Sequence, residues 1–439
     1  MSIVDRTDRY CVIGAGSSGL TAAKNLLQAG IACDLLEKNS QLGGTWCYGQ
    51  PGSSVYRSTS LISSKRLTEF TDFPIPVEYP PFLRHEQAWA YLRAYAEKFE
   101  LLDQIEFNQP VQEVAPEQLV PGAAPPWRVA LASGEVRRYR GVIIANGHNW
   151  DPKWPQLPGS FAGQTLHSAE YKTPDILAGK RVLVVGGGNS GCDIAVEAAQ
   201  HAAMTFQSIR RGYHYLPKFL YGVPIDVVGE TLLRWRFPLF LRRLIAGRGM
   251  RITLGRPEAF GLPKPDHRFL ETHPVINSQM LYYVGHGRIT PKPDVAELFA
   301  DGVQFRDGTR EQIDLIVFAT GFKLSFPFIA RRWLNWRGER PELFLHVFHP
   351  QFDNLFLAGL IQPDSGQWGL VDYQSQLIAR FIQAQAQQPR AADRFRRRKA
   401  TSGVGLARPI RYVESARHLL EIEHFSYRRR LQKLLRQFA

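Results

Sequence analysis

The sequence predicts an α/β chain in which two strand–glycine loop–helix units share one polypeptide, the second inserted into the first. Three observations predict it: a GxGxxG loop starting at Gly14, another starting at Gly186, and a strand-like stretch ending in small residues after each. With 439 residues the chain can bury two or three ordinary cores. A content of 44% hydrophobic and 21% charged residues is that of a soluble globular protein.

The first unit is "RYCVIGAGSSGLTAAKNLLQAG" (9–30), which reads as strand, tight turn and helix. Gly14 permits the turn, Gly16 lets backbone approach a pyrophosphate, and Gly19 allows the helix to pack closely. The helix start around Ser18 offers free N–H groups and a positive dipole end to phosphate. Gly30 stops the helix. The next strand, "IACDLLEK", reaches Glu37 and Lys38, roughly 20 residues beyond the loop, where a carboxylate binds both ribose hydroxyls of a dinucleotide. This is a Rossmann-like, dinucleotide-binding pattern that suits FAD.

The pattern returns in "KRVLVVGGGNSGCDIAVEAAQ" (180–200), with Gly186, Gly188, Asn189, Ser190 and Gly191 around the loop. The strand that follows, "MTFQSIRRG" (204–212), ends in Ser208, Arg210 and Arg211 where the first unit has its acid. Two guanidiniums there match a dianionic 2′-phosphate and so NADPH, the alternative being a solvated strand end. One loop for FAD and one for NADPH indicate a flavoprotein that takes hydride from a pyridine nucleotide.

The remaining elements follow in order. A β-rich stretch (127–147) ends at Ala145-Asn146-Gly147. Another (302–321) turns at Asp307-Gly308 and ends at Ala319-Thr320-Gly321, each end reading as a strand returning beneath a cofactor. "NLFLAGL" (354–360) is a further strand, followed by loop and a helix that carries Gln374. The expected organisation is an FAD domain over 1–168, an NADPH domain over 169–318, and the second part of the FAD domain with a basic helical region over 319–439, with crossings near 165–175 and 315–325.

Composition narrows the partners. The formal net charge is +14, but apart from "FRRRK" (395–399) and "YRRR" (427–430) the basic residues are scattered, and no nucleic-acid module accompanies them. No nucleic-acid partner is expected. Cys11, Cys33, Cys47 and Cys192 form no CxxC pair and no metal-ligand spacing, which argues against a dithiol reductase and fits a reducing cytoplasm. Cys11 and Cys33 read as core residues. Cys192, at a helix start, is either that or a favoured thiolate. Charged residues precede the first strand directly, so no signal peptide is expected, and no run is long enough to cross a bilayer. The run "LLRWRFPLFLRRLIAG" (232–247) reads as a surface helix with arginine stems over the core, as a peripheral membrane contact, or as a cover for an active site. A homodimer is also admitted.

Between the two loops lies "FAGQTLHSAEY" (161–171), whose polar and aromatic residues fall at spacings that neither a helix nor a strand needs. It reads as a hinge linker: Gly163 bends, Phe161 anchors, and His167 and Tyr171 sense the seated nicotinamide. For His167 the alternative is a structural role. The order GxGxxG, Phe161-x-Gly163-x-x-x-His167-x-x-x-Tyr171, GxGxxG resembles the flavin-containing monooxygenase family; Baeyer–Villiger monooxygenases are similar but have tryptophan at the position of Tyr171. The resemblance extends through "GGTW" (43–46), "TDFPIP" (71–76), "ANGH" (145–148), "FATGF" (318–322) and "VDYQSQ" (371–376), with "LPKFLYG" and "FGLPKP" similar to a plant and bacterial branch that includes enzymes acting on 2-oxo acids.

The resemblance implies bound FAD and NADPH, with Gly44, Thr45 and Trp46 at the flavin. It also implies O2 as co-substrate and delivery of one oxygen atom from a flavin C4a-hydroperoxide to a small molecule, at amine nitrogen, sulfide sulfur or a carbonyl. His148 and His273 read as structural. Two positions depart from the family. Ile62 stands where an asparagine that helps hold the oxygenated flavin is expected, three residues before Lys65, with Ser63 and Ser64 as substitutes; Gln376 stands where arginine is frequent. These departures keep open an alternative: an NADPH oxidase-like or partner-binding flavoprotein that oxygenates no substrate.

Overall fold

The computed structural model describes residues 3–118, 124–235, 237–404, 410–413 and 415–438. Two sheets organise it. In the first, Ile105–Glu106, Cys33–Leu36, Ile3–Ile13 and Val136–Ile144 lie side by side in parallel. The last of these strands changes partner along its length. Its start pairs antiparallel with Trp127–Leu131, which pairs in turn with Val111–Pro116; its end pairs in parallel with Leu355–Leu357. The switch falls at Gly141, where a Cβ would lie 2.3 Å from the Tyr10 ring and 2.6 Å from the Asn354 carbonyl oxygen.

The second sheet is parallel throughout, in the order Thr290–Lys292, Met204–Ser208, Arg181–Val185, Leu315–Phe318, Gln164–His167. Arg181–Val185 and Leu315–Phe318 are nearly all apolar and buried, as central strands covered on both faces must be. An antiparallel excursion, Val295–Phe299, Gly302–Phe305 and Arg310–Gln312, turns at Asp307-Gly308 as its sequence requires.

The chain leaves the first sheet at Ile144, builds the second, and returns to add Leu355–Leu357 to the first. The outgoing and returning segments run antiparallel, Pro152 opposite Phe322 and Asp151 opposite Lys323. They are stitched further by the Thr320 hydroxyl donating to the Lys153 carbonyl and the Lys153 N–H to that of Gly321 (3.0 Å). The outward crossing is therefore complete before Gln164, ahead of the 168 boundary and the 165–175 crossing expected. The stretch 161–171 is correspondingly not a free linker. Gln164–His167 is an edge strand, and with only one hydrogen-bonded neighbour it needs no alternation: its first two residues are exposed and its last two buried.

The basic run 232–247 breaks at Pro238 into the helices Ile225–Arg234 and Leu239–Leu254; Arg236 lies outside the described residues. Both helices lie at the surface, with arginine stems packed inward as read. Arg242 is buried, while Trp235, Phe240 and Ile252 are exposed by 70%, 72% and 83%. Met250 and Leu254 turn inward instead, against Ile62. Among the described residues no helix is long and apolar enough to cross a membrane.

Candidate functional site

Both glycine loops are built alike. Gly14 (φ +103°) follows its strand, and a Cβ there would lie 2.8 Å from the carbonyl oxygen of Ala145. Gly186 (φ +130°) has the same relation to Ala319, at 2.3 Å. Side chains rarely adopt such φ values, so each turn needs glycine, and the small-residue strand ends do run beneath the loops. Next comes the close packing of helix on turn: a Cβ on Gly19 or Gly191 would fall 1.7 or 2.2 Å from the carbonyl oxygen of Gly14 or Gly186. These contacts aim the helices Ser17–Gln28 and Asn189–His201 at the space above their loops.

Above the first loop, Gly16 faces Gly44 with a built Cβ 3.6 Å from Gly44 Cα and 3.9 Å from its N. No side chain stands between them, so the backbones of both loops meet in one open seat that a pyrophosphate can approach. Thr45 holds that second loop through Ser54 (Oγ–Oγ 2.9 Å), and Trp46 packs edge-on to Trp368. Glu37, buried at the strand end, accepts the Ala15 N–H at 2.7 Å and the Asn39 N–H at 2.9 Å, one on each oxygen. Each oxygen keeps a second acceptor direction for a ribose hydroxyl. Lys38 stacks over Trp150. Ser18 lies against Gly359, and buried Gln374 accepts the Gly359 N–H (3.0 Å) while donating to Tyr427. Gln374 thus shapes this wall from behind rather than lining it.

Between the units lies a hydrogen-bonded face. Tyr56 donates to Asp193 (3.0 Å), Lys218 to the Ser60 hydroxyl (2.6 Å), and the Ser64 N–H to Asp226 (2.7 Å). Burial pulls the Lys218 ammonium down in pKa, with Asp193 working the other way. Ile62 is centred on this face, packed with Leu216, Ile276, Met250, Leu220 and Ile225. The Ser63 hydroxyl is already engaged with Thr68 (2.8 Å). The Ser64 hydroxyl, on a residue 2% exposed, has no hydrogen-bond partner among the described residues. Lys65 donates to the carbonyls of Pro76, Val77 and Tyr79 and so fixes the loop. The residues present fit a flavin dinucleotide: a backbone cradle, an acid at the strand end, and a buried hydroxyl left to be used.

The departure at Gln376 has a local answer. Gln376 joins Thr71 around the buried carboxylate of Asp372, and Lys24, 2% exposed, supplies the cation (Nζ–Oδ1 3.2 Å). Against the cost of burial, Lys24 with Thr71, Asn25 and Thr21 holds Asp372 below the usual carboxylate range.

At the second loop, Asn189 clasps the segment after His273, donating to the Pro274 carbonyl (3.0 Å) and accepting the Ile276 N–H (2.8 Å); Ser190 stands half-buried beside it. Arg210 is exposed at the strand end. Arg211 is not free: it pairs with Asp266 at 2.8 Å. Cys192 is fully buried, and burial pushes its thiol up to about 12, which removes the thiolate reading. Cys11 and Cys33 are core residues as read.

His167 and Tyr171 are buried, 0% and 1% exposed. Tyr171 donates to Glu197 (2.7 Å) and packs against Tyr56 of the first unit. His167 accepts the Ala169 N–H (3.2 Å) and lies against Phe322 of the returning crossing; burial lowers its pKa, against the backbone of Gly321. Both side chains thus join segments of the two units from within the junction. Sequence reasoning missed Asp193, Lys218, Asp226, Asp266 and Arg417, which reach the site from distant segments and carry no local spacing signal.

A description of the flavin-binding monooxygenase-like family matches residues 7–433. The chain is 34% identical over 437 residues to flavin-containing monooxygenase 5 of Rattus norvegicus, spanning 94% of this chain and 80% of that one. It is 33% identical to dimethylaniline monooxygenase [N-oxide-forming] 2 of Oryctolagus cuniculus, over 85% of this chain and 73% of the relative. Among solved structures it is similar to S-allyl-L-cysteine S-oxygenase from Allium sativum (TM-score 0.66, 20% identity, 99% and 89% covered). It is also similar to an NADP+-bound mutant of cyclohexanone monooxygenase from Rhodococcus sp. Phi1 (TM-score 0.72, 19% identity, 98% of each chain). These two likenesses show the shared fold.

Proposed function

Because the chain belongs to the flavin-binding monooxygenase-like family, and is therefore an oxidoreductase using FAD and NADPH, we propose that it transfers one oxygen atom of O2 to a small-molecule nucleophile. Amine nitrogen and sulfide sulfur are the proposed targets, with a 2-oxo acid or ketone carbonyl as the further class. The observation that carries this reading is the setting of Ile62: where the units meet, it packs into a hydrophobic cluster with Leu216, Met250 and Ile276 of the second unit, surroundings suited to a soft nucleophile and to the exclusion of water.

When bound, FAD reduced by NADPH supplies the oxygen-activating chemistry. The chain's own residues bind and orient. Glu37 takes the adenosine ribose of FAD, and the Gly16–Gly44 seat its pyrophosphate. Gly188 and Arg210 face the pyrophosphate and 2′-phosphate of NADPH. The Ser64 hydroxyl is the hydrogen-bond donor that Ile62 is not.

Ile62 itself favours a second reading, NADPH oxidation with peroxide release. One experiment separates the two. FAD-loaded protein is supplied with NADPH, 18O2 and in turn an amine, a sulfide and a ketone, and product, peroxide and NADPH are counted. One labelled oxygen in product per NADPH is expected; stoichiometric peroxide with every compound would overturn the reading.

The exposed Trp235, Phe240 and Ile252, among arginines, are the proposed seat of peripheral membrane contact, checked by co-sedimentation with anionic vesicles. Cysteines that are all free and buried fit a reducing compartment, and we place the protein in the cytoplasm on that ground.

A further inference from the structure

We infer that Arg417, contributed by the C-terminal segment, is a cofactor residue of the second glycine loop and the counter-charge for the dinucleotide pyrophosphate; this rests on the NADPH reading of that loop.

The geometry begins at Gly188, the glycine whose missing side chain opens the loop to a pyrophosphate. The three atoms nearest a Cβ built there all belong to the Arg417 guanidinium, with Nη2 at 3.6, Cζ at 3.7 and Nη1 at 3.8 Å. In the first loop the corresponding place, opposite Gly16, is taken by the uncharged backbone of Gly44. The two cradles are thus alike in backbone and differ in what faces them. The guanidinium rests over the Tyr213 ring, 4.9 Å from its centroid, and Tyr213 lies against Gly187 of the same loop. An arginine stacked in this way is pre-organised for phosphate oxygens.

Its surroundings call for an anion. Arg417, His273, Arg211 and His267 all act as like charges on the neighbouring His418, whose pKa falls to about 3, through burial first and these neighbours next. Asp266 already answers Arg211 and His267, and Glu421 answers His273, so a dinucleotide entering here brings its negative charge to Arg417.

The origin of Arg417 gives the contact its consequence. Its segment is fastened to both units. Glu421–Ile422 pairs with Gln362–Pro363 beyond the last strand of the first sheet, while the Val413 N–H donates to the Glu271 carbonyl (2.9 Å) and Glu421 meets His273 (3.2 Å). A dinucleotide pyrophosphate that touches both the Gly188 backbone and the adjoining Arg417 guanidinium links the second unit to this strap. Cofactor occupancy and the docking of the two units then favour each other.

The test is equilibrium binding to the FAD-loaded protein, followed by flavin absorbance or calorimetry, with NADP+, NAD+ and 2′-AMP. Arg417→Ala should weaken NADP+ and NAD+ by the same factor, about ten- to hundredfold for a charge-assisted contact, and leave 2′-AMP, which has no pyrophosphate, unchanged. Arg417→Lys should recover part of the loss. Arg417→Gln keeps the stem over Tyr213, serves where the alanine variant loses flavin, and should show the same pattern. Unchanged NADP+ affinity, or 2′-AMP weakened as much as NADP+, overturns the assignment. Wild-type protein that binds neither NADP+ nor 2′-AMP would overturn the second-loop reading itself, which is a different failure.

Discussion

Coenzyme choice can be worked through from the end of the strand Met204–Ser208. Arg210 is exposed and makes no ion pair among the described residues, so a 2′-phosphate would gain its charge at little cost. A hydrogen bond to a charged group is worth roughly 1.5–3 kcal/mol, so Arg210→Ala should lower the ratio of kcat/KM for NADPH over NADH about ten- to hundredfold. Arg211 differs, because Nη2 and Nε already donate to Asp266 Oδ1 at 2.8 and 3.3 Å, and His267 shares that carboxylate at 2.8 Å. Asp266 is 52% exposed, and pairs of that kind are worth about 0–1 kcal/mol. Asp266→Asn should therefore improve NADPH efficiency by at most about fivefold, leave NADH unchanged, and lose its effect in high salt. The assay is initial-rate NADPH and NADH oxidation at two ionic strengths. An unaltered coenzyme ratio in the Arg210→Ala, Arg211→Ala double variant would refute the reasoning. The same ratio distinguishes these arginines from Arg417, whose loss should leave it untouched.

Other outcomes follow from the same contacts. Gly16→Leu fills the seat opposite Gly44 and should give folded but colourless protein; a full complement of FAD on purification would contradict the cradle. Ser64→Ala should raise peroxide released per NADPH, and Ile62→Asn should lower it, both read by a peroxidase-coupled assay; identical leakage in both variants would remove this loop from oxygen control. His349 accepts two backbone N–H groups on Nδ1 (3.1 and 2.9 Å), and burial, with Lys399, lowers its pKa from 6.5 to about 3. Its unfolded form binds the proton first. The neutral ring's contribution is therefore complete above about pH 6.5 and is lost as pH falls toward 3. Thermal melts of His349→Gln should depend less on pH across that window than those of the parent.

What could be read in advance was what is local. Gly14, Gly186, Gly19 and Gly191 announce themselves because a turn and the helix behind it are set by a few consecutive residues, and Glu37 and Arg210 because a strand end lies a fixed distance on. The family resemblance added the flavin side of the site. The edge strand Gln164–His167 was missed because backbone pairing, not side-chain alternation, makes it a strand. That Tyr171 and His167 are buried could not be read in advance either, because burial is a property of the assembled core. Asp266 beside Arg211, Lys24 in place of a cation at Gln376, and Arg417 above Gly188 depend on segments brought together only by the fold.

The late return of Leu355–Leu357 to the strand Val136–Ile144 bears on how the molecule is made. The second sheet is contiguous in the chain, from Gln164 to Phe318, and all its strands are available once that stretch has left the ribosome. The first sheet begins at Ile3, yet Val142–Ile144, paired on one side with Cys11–Ile13, lacks its second partner until residue 357 has been synthesised. The unit encoded first is thus the one finished last, and its central strand has an unpaired edge throughout synthesis of the other, an exposure of the kind that recruits chaperones. Slowing translation between 320 and 360 should increase aggregation of the nascent chain, whereas the segment 151–323 made alone should escape that hazard.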